Sequence, residues 1–203
     1  MAKRPAPTKA NLFKAQHELR FATEGYDLLN QKRDVLVMEL MSVAAAFVDA
    51  EARLRESMGG AFDVFLPAYL AAGQDTMQRV FSASRSEVEL EVTERAVMGT
   101  AVPEVRIGMG GEPLFTGLLD ATPAMDASVA NMGSVMASLV QYIETVATIW
   151  RLATEIEKTQ RRINAIENVF IPESREAVTW IKSVMEENER EELFRRQLLK
   201  RQG

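Results

Sequence analysis

The sequence contains no cysteine and only one histidine, which excludes much catalytic and metal chemistry. Without cysteine there are no disulfides and no thiolate ligands, and a reducing compartment is compatible with the chain. The lone His17 is predicted on the charged face of a helix, with no second metal ligand near it in the sequence. A structural or neutral role is therefore expected for this histidine.

Long apolar runs are also missing. The longest, Leu40–Val48, contains Ser42 and stops at Asp49, whereas a membrane-spanning helix needs about 20 apolar residues. The first residues carry Lys3 and Arg4 without an apolar segment, which is not the pattern of a signal peptide. These features predict a soluble, cytoplasmic chain with no direct membrane insertion.

The net charge of -5 is too small to indicate a polyanion-binding protein, but the charge is unevenly spread. Both termini are basic, and the middle of the chain is acidic. The basic ends are candidates for contact with an acidic partner, although solubility and helix-end electrostatics would explain them as well. Nucleic-acid binding is not expected, because glutamates flank the central arginine pair and phosphate tracking needs an uncompensated basic face. The candidate contact cations are Lys9, Lys14, Arg20, Arg161, Arg162, Arg190, Arg195 and Arg196.

Two other segments suggest chemistry only by composition. Gly108–Gly111 is glycine-rich like a phosphate loop, but it lacks the following Lys-Ser/Thr and does not open onto a helix. The acidic cluster Glu186–Glu192 lies beside Lys182 and contains Arg190 at helical spacing, which favours i,i+4 pairing over metal binding. We therefore expect no catalytic, cofactor-binding or metal site; an enzyme with a site in residues 86–126 is the disfavoured alternative.

The sequence does contain a long heptad pattern at its N-terminal end. Thr8 is predicted as the N-cap, and Gly59-Gly60 should end or bend the helix. A repeat sustained over so many heptads predicts a coiled-coil helix. Its positions are Leu12, Leu19, Tyr26, Arg33, Leu40, Phe47 and Leu54, with Ala15, Ala22, Leu29, Leu36, Val43, Ala50 and Ser57 three residues later.

A second apolar stripe with three-then-four spacing lies near the C-terminus, and Pro172 should bend its helix. The stripe is formed by Ile149, Leu152, Ile156, Thr159, Ile163, Ile166 and Phe170. Past the proline, it continues through Ala177, Trp180, Val184, Phe194 and Leu198, while Glu173, Glu187 and Glu191 also fall on seam positions. Each helix needs a partner, and an antiparallel pairing of the two would supply it.

Between these helices, the hydrophobic period changes. Residues 61–84 predict a helix broken or kinked at Pro67 and Gly73. Alternating polar and apolar residues then predict a half-buried strand, which pairs with a second extended run as a β-hairpin over about 86–107. Candidate protein contacts on its first strand are Val88, Leu90 and Val92. A loop over 108–122 and a final helix starting at Asp126 or Ser128 complete this prediction.

The predicted fold class is mainly α, a long antiparallel two-helix coiled coil formed by the N- and C-terminal helices. Residues 1–60 form the N-terminal coiled-coil helix and 128–203 the C-terminal one. Residues 61–127 form the middle region, with the broken helix, the β-hairpin and a Gly/Pro loop. Helices of this length predict an elongated molecule.

Three blocks of this sequence resemble the D subunit of the V/A-type (vacuolar and archaeal-type) rotary ATP synthases. The first is Pro7-Thr8 followed by Gly25–Leu36, the second is Glu155–Glu167 continuing to Ile171-Pro172, and the third is Glu186–Glu192. Their order covers almost the whole chain, and the sequence is least similar to the family over 108–117.

The resemblance implies a central-stalk rotor shaft. The terminal helices would stand inside the catalytic A/B hexamer, and the middle region would bind the small F subunit and the cup-like C subunit of the membrane rotor. Rotation would couple H⁺ or Na⁺ translocation to ATP synthesis or hydrolysis, with no cofactor or catalytic residue in this chain, which would be cytoplasmic and peripheral to the membrane. The alternative function is a coiled-coil chaperone or scaffold.

Overall fold

Long helices make up most of the chain. The computed structural model describes residues 6–83, 87–110 and 123–201. The long N-terminal helix packs against the long C-terminal helix, and a two-stranded antiparallel hairpin lies between them in the sequence, which confirms the predicted fold class. The elements are α1 (Lys9–Ala72), α2 (Gln74–Ala83), β1 (Glu87–Val97), β2 (Thr100–Gly110), α3 (Pro123–Ala165), a π-helix (Ile166–Phe170) and α4 (Ile171–Arg201).

Helix α1 begins where the sequence predicts. The Asn11 backbone N–H donates to Thr8 Oγ1 at 3.3 Å, which satisfies one of the unpaired amides of the first turn. All fourteen heptad positions from Leu12 to Ser57 are buried or half-buried, with Leu36 fully inaccessible. The register read from the sequence is therefore the register of the seam.

The end of α1 differs from the prediction. The helix continues through Gly59-Gly60 and through Pro67 to Ala72, so an end of the helix at the glycine pair is wrong. The seam continues in this stretch, where Ala68 packs in a buried cluster with Met77 of α2 and Met125 of α3. This packing offsets the weak helix propensity of two glycines, about 1 kcal/mol each. The predicted break does occur at Gly73, whose φ of 77° suits a residue without Cβ.

The chain divides into two compact units. The terminal unit comprises the residues up to Val35 and those from Ile156 onward, and the central unit comprises Leu36–Glu155. In the terminal unit, Arg33 of α1 donates to the Gln160 side-chain oxygen of α3 at 3.2 Å. In the central unit, the rings of Phe47 and Tyr142 lie with centroids 5.4 Å apart. Each unit therefore contains its own pairing of α1 with the C-terminal helices.

The middle strands form the predicted hairpin with slightly different limits. β1 and β2 pair in antiparallel register from Glu87↔Gly110 to Val97↔Thr100. The turn is Met98-Gly99, both with positive φ, which is typical of a two-residue hairpin turn. β2 extends three residues into the predicted loop of 108–122, and residues 111–122 of that loop lie outside the described residues.

The final helix starts earlier than predicted and is interrupted once. α3 begins at Pro123, not at Asp126 or Ser128, because proline fits the first helical position, where its missing N–H is not needed. A π-helix lies immediately before Pro172, where a bend was expected. There the Ile171 N–H donates to the Ile166 carbonyl oxygen. This i→i−5 hydrogen bond gives the turn one residue more than a turn of α-helix.

That extra residue moves the seam by one position. Ile163 and Thr159 lie inside, as predicted, but Phe170 is 56% exposed and Glu173 is exposed. The inside position after Pro172 belongs instead to Ile181, which is 0% exposed. The prediction that Phe170 and the three glutamates occupy the seam is therefore wrong, because it assumed an uninterrupted 3.5-residue repeat. From Glu186 to Gln197 every described residue is exposed, including Phe194.

Candidate protein-contact surfaces

The hairpin is held on the helices of the central unit near its turn. Val102 of β2 is almost completely buried, and Arg95 donates to the carboxylate of Glu39 on α1 at 3.2 Å. On α3, Arg151 contacts both the Glu94 carboxylate, at 3.1 Å, and the Ala101 carbonyl oxygen, at 2.9 Å. The turn end of the hairpin is thus tied to both helices.

One backbone group on the edge of β2 is also satisfied by a helix. The Val105 N–H donates to Glu144 Oε2 on α3 at 3.3 Å. Unpaired edge N–H groups are a template for pairing with another strand, so this carboxylate covers part of the edge. Together with the arginine contacts, it fixes the orientation of the hairpin on α3.

Counted from the turn, the alternating apolar side chains of β1 lie level with the last of these anchoring contacts or farther away. Val88, Leu90 and Val92 are exposed, Leu90 by 54%. They share a strand face with Ile107 and Val105, their direct partners Leu90↔Ile107 and Val92↔Val105. The strand was expected to bury this apolar side, which is wrong, since all three side chains are exposed. We call Val88, Leu90 and Val92, with Val105 and Ile107, the hairpin face; its β1 side chains are exposed and its β2 side chains are half-buried.

A second exposed apolar surface lies on α3 and was not predicted. Ile143, Val146 and Trp150 recur at i, i+3 and i+7, which places them on one helix face, and Trp150 is 71% exposed. At about 100° per residue, this α3 stripe lies about 80° or more around the helix from Glu144 and Arg151, which hold the hairpin. The spacing could have revealed it, but the seam positions beside it dominate the pattern.

The predicted contact cations lie on the terminal unit, and most are paired within their own helix. Arg195 contacts Glu191 at 3.2 Å and Arg196 contacts Glu192 at 3.4 Å. Such exposed i,i+4 pairs contribute only about 0.3–0.5 kcal/mol each. The other pairs are Lys14–Glu18, Arg20–Glu24, Arg161–Glu157 and Arg190–Glu187. Lys9 and Arg162 are exposed. Six of these eight cations therefore follow the helices as locally neutralised pairs.

The described ranges contain neither a candidate metal site nor a candidate membrane-spanning helix. No group of three or more His, Asp or Glu side chains in them could hold a metal ion. No helix in the same ranges combines the length and apolar character that a membrane crossing requires. The described surface carries exposed apolar side chains, among them the hairpin face and the α3 stripe, and a series of paired charges.

Comparison with known proteins identifies the class. The family model of the ATP synthase D subunit matches residues 11–201, nearly the whole chain. The chain therefore belongs to the family of ATP synthase D subunits, and it is a non-catalytic component of an A/V-type ATP synthase complex.

Individual relatives match over their full length. The chain is 30% identical to the A-type ATP synthase D subunit of Methanoregula boonei over 97% of this chain and 96% of that protein. It is 32% identical to the A-type D subunit of Thermococcus gammatolerans, with 93% and 90% covered. It is also 30% identical to the V-type ATP synthase D subunit of Thermotoga neapolitana, with 96% of each chain covered.

Proposed function

We propose that this protein is the central-stalk rotor shaft of its ATP synthase. It would turn inside the catalytic A/B hexamer and couple H⁺ or Na⁺ translocation through the membrane rotor to ATP synthesis or hydrolysis. The observation that carries the proposal is the continuous seam of α1, in which every heptad position from Leu12 to Ser57 is buried or half-buried. Because both helices share the load along such a seam, the pair resists bending and twisting better than one helix.

The outer surface of the terminal unit suits a shaft that turns in a bearing. Its charges pair along their own helix, as in Arg161–Glu157 and Arg195–Glu191. A locally neutralised surface has few uncompensated charges with which to bind one position of a surrounding ring firmly. We propose that the cations Lys9, Lys14, Arg20, Arg161, Arg162, Arg190, Arg195 and Arg196 contact the hexamer in this transient way.

The central unit supplies the surfaces for stable partners. We propose that the hairpin face and the α3 stripe bind the small F subunit and the cup-like C subunit of the membrane rotor. Both surfaces carry exposed apolar side chains, and Leu90 and Trp150 are the kind of large side chains that act as anchors in interfaces. The hydrogen bonds of the hairpin to Glu39, Glu144 and Arg151 would help to hold such a partner in place.

Co-expression with the other soluble components of the complex tests the proposal. The tagged chain should copurify with a small F-type partner and with a nucleotide-binding hexamer whose ATPase activity depends on it. A stable complex that contains neither, or a chain that suppresses aggregation of unrelated proteins without any ATPase, would favour the scaffold or chaperone function instead.

Two test variants, each with a control, show which of the two surfaces binds a partner. Leu90→Asp places a charge on the hairpin face, and Glu91→Ala on the opposite face of the same strand is its control. Trp150→Ala opens the α3 stripe, and Gln141→Ala, an exposed residue outside the stripe, is its control. Loss of the small partner in a test variant but not in its control identifies its surface. If all four variants retain every partner, both surfaces are excluded.

A further inference from the structure

Two sets of residues near Pro172 have the same spacing and lie one residue apart. The first set is Phe170, Ala177, Trp180 and Val184, and the second set is Ile171, Val178, Ile181 and Met185. Within each set the residues follow one another at steps of seven, three and four, the spacing of a coiled-coil seam. Either set could therefore form the apolar stripe that faces α1 in the terminal unit.

The structure uses the second set but keeps most of the first set nearby. Ile181 is fully buried and the rest of the second set is half-buried, whereas Phe170 is exposed. The other members of the first set, Ala177, Trp180 and Val184, are themselves half-buried. For the first set to take the inside positions, Phe170 is the one member that would have to leave an exposed position.

Two neighbouring residues favour the second set. Pro172 lacks an N–H, and in a regular α-helix its ring would meet the carbonyl group of Asn168, a conflict that the π-helix avoids. Glu173 would be a seam residue if the first set faced α1, and an unpaired buried carboxylate is costly. The corresponding residue in the observed packing is Ser174, which is half-buried and carries no charge.

We propose that α4 is a rotational switch with two packing phases against α1. In the second phase of the switch, the π-helix becomes a regular α-helix. The helix beyond it turns by about 100°, the rotation of one residue, so that the first set replaces the second. Both phases keep an apolar seam, and Pro172 and Glu173 set the balance between them.

The use of this switch rests on the proposed function, but its existence does not. In a rotor shaft, a helix that can rotate by one residue would take up part of the torsion that one end of the shaft applies to the other. The packing itself concerns only the terminal unit, so it is tested on the purified full-length chain. Failure to assemble with a hexamer would overturn the shaft and leave the switch standing.

Thiol labelling distinguishes the two phases, because the chain has no cysteine of its own. Single variants Phe170→Cys and Ile181→Cys are treated with a maleimide under native conditions. In the otherwise unchanged chain, Cys at 181 should react at least about tenfold more slowly than Cys at 170. In the Pro172→Ala/Glu173→Leu background, the order should reverse. The matched background Pro172→Ala/Glu176→Leu, which adds a leucine outside both sets and retains Glu173, should keep the original order.

A deletion tests the extra residue directly. Removing Val169 together with Pro172→Ala leaves a regular helix with the second set in phase, so the fold should be retained and Cys at 181 should remain slow. The proposal is overturned if the order does not reverse in the Pro172→Ala/Glu173→Leu background. It is equally overturned if both thiols react alike in that background and circular dichroism shows that the chain has unfolded. Unfolding of the deletion variant would also overturn it.

Discussion

The seam of the C-terminal helices differs on the two sides of the π-helix. Before it, Leu152, Thr159 and Ile163 are each at most 1% exposed and follow the predicted repeat. After it, Ile181 alone among the described side chains is fully buried, and those from Glu186 to Gln197 are all exposed. The same apolar spacing thus yields a firm seam in one stretch and a loosely packed, finally exposed helix in the other. The difference begins where one proline makes a continuous α-helix unfavourable.

The largest effect is expected from a charge placed in the firm stretch. Ile163→Asp should destabilise the chain by about 4 kcal/mol or more, because an unpaired carboxylate would be buried in the seam. Phe194→Asp, in the exposed stretch, should change stability by no more than about 0.5 kcal/mol. Denaturant unfolding followed by circular dichroism measures both, and an unchanged midpoint for Ile163→Asp would refute the seam register.

Truncating isoleucines on the two sides sharpens the comparison. Ile163→Ala should cost about 3–4 kcal/mol, near the upper part of the range for buried isoleucine. Ile181→Ala should cost about 1 kcal/mol less, because half-buried neighbours can close part of the cavity. The same unfolding experiment compares them. Equal losses would mean that the helix packs as firmly after Pro172 as before it.

One substitution in the firm stretch should stabilise the chain. Thr159 is completely buried, and among the described residues its hydroxyl has no hydrogen-bond partner. Thr159→Val removes that unsatisfied group at nearly constant volume and should raise the free energy of unfolding by about 1 kcal/mol. Thr179→Val is the control, since its hydroxyl donates to the Arg175 carbonyl oxygen on an exposed face. A loss of stability in Thr159→Val would show that the hydroxyl is bonded after all.

The smallest effect on stability is expected at the far end of α4. Removing residues 190–203 should leave the melting temperature within about 1 °C, because the described part of this segment is exposed. In the assembled complex, the same truncation should lower coupled ATPase activity, since the segment carries Arg190, Arg195 and Arg196. Full coupling in the truncated complex would remove these cations from the mechanism.

Much of the fold was predictable because the heptad pattern, which is read locally in the sequence, also shows which face of a helix packs against another helix. Thr8 as the N-cap, the seam from Leu12 to Ser57 and the hairpin were read from spacing and turn residues alone. The continuation of α1 through Gly59-Gly60 was not predictable, because tertiary packing around Ala68 overrides the local propensity of glycine.

The phase of the seam after Pro172 was also beyond prediction. A proline indicates an interruption, but a kink and a π-helix with one extra residue are both possible answers to it. Of the candidate contacts, Val88, Leu90 and Val92 were found as a pattern, yet the pattern could not say that they face outward. The α3 stripe was missed because Ile143 and Trp150 lie beside apolar seam residues of similar spacing.

Rotation itself tests the central claim most directly. Glu91→Cys gives the chain a single exposed thiol on the hairpin for a bead or gold particle, and the hexamer is fixed to a surface with the labelled chain assembled in it. A rotor shaft predicts unidirectional rotation of the particle that starts with ATP and stops without it. Sustained ATP hydrolysis by immobilised complexes whose labelled chain does not rotate would contradict the account.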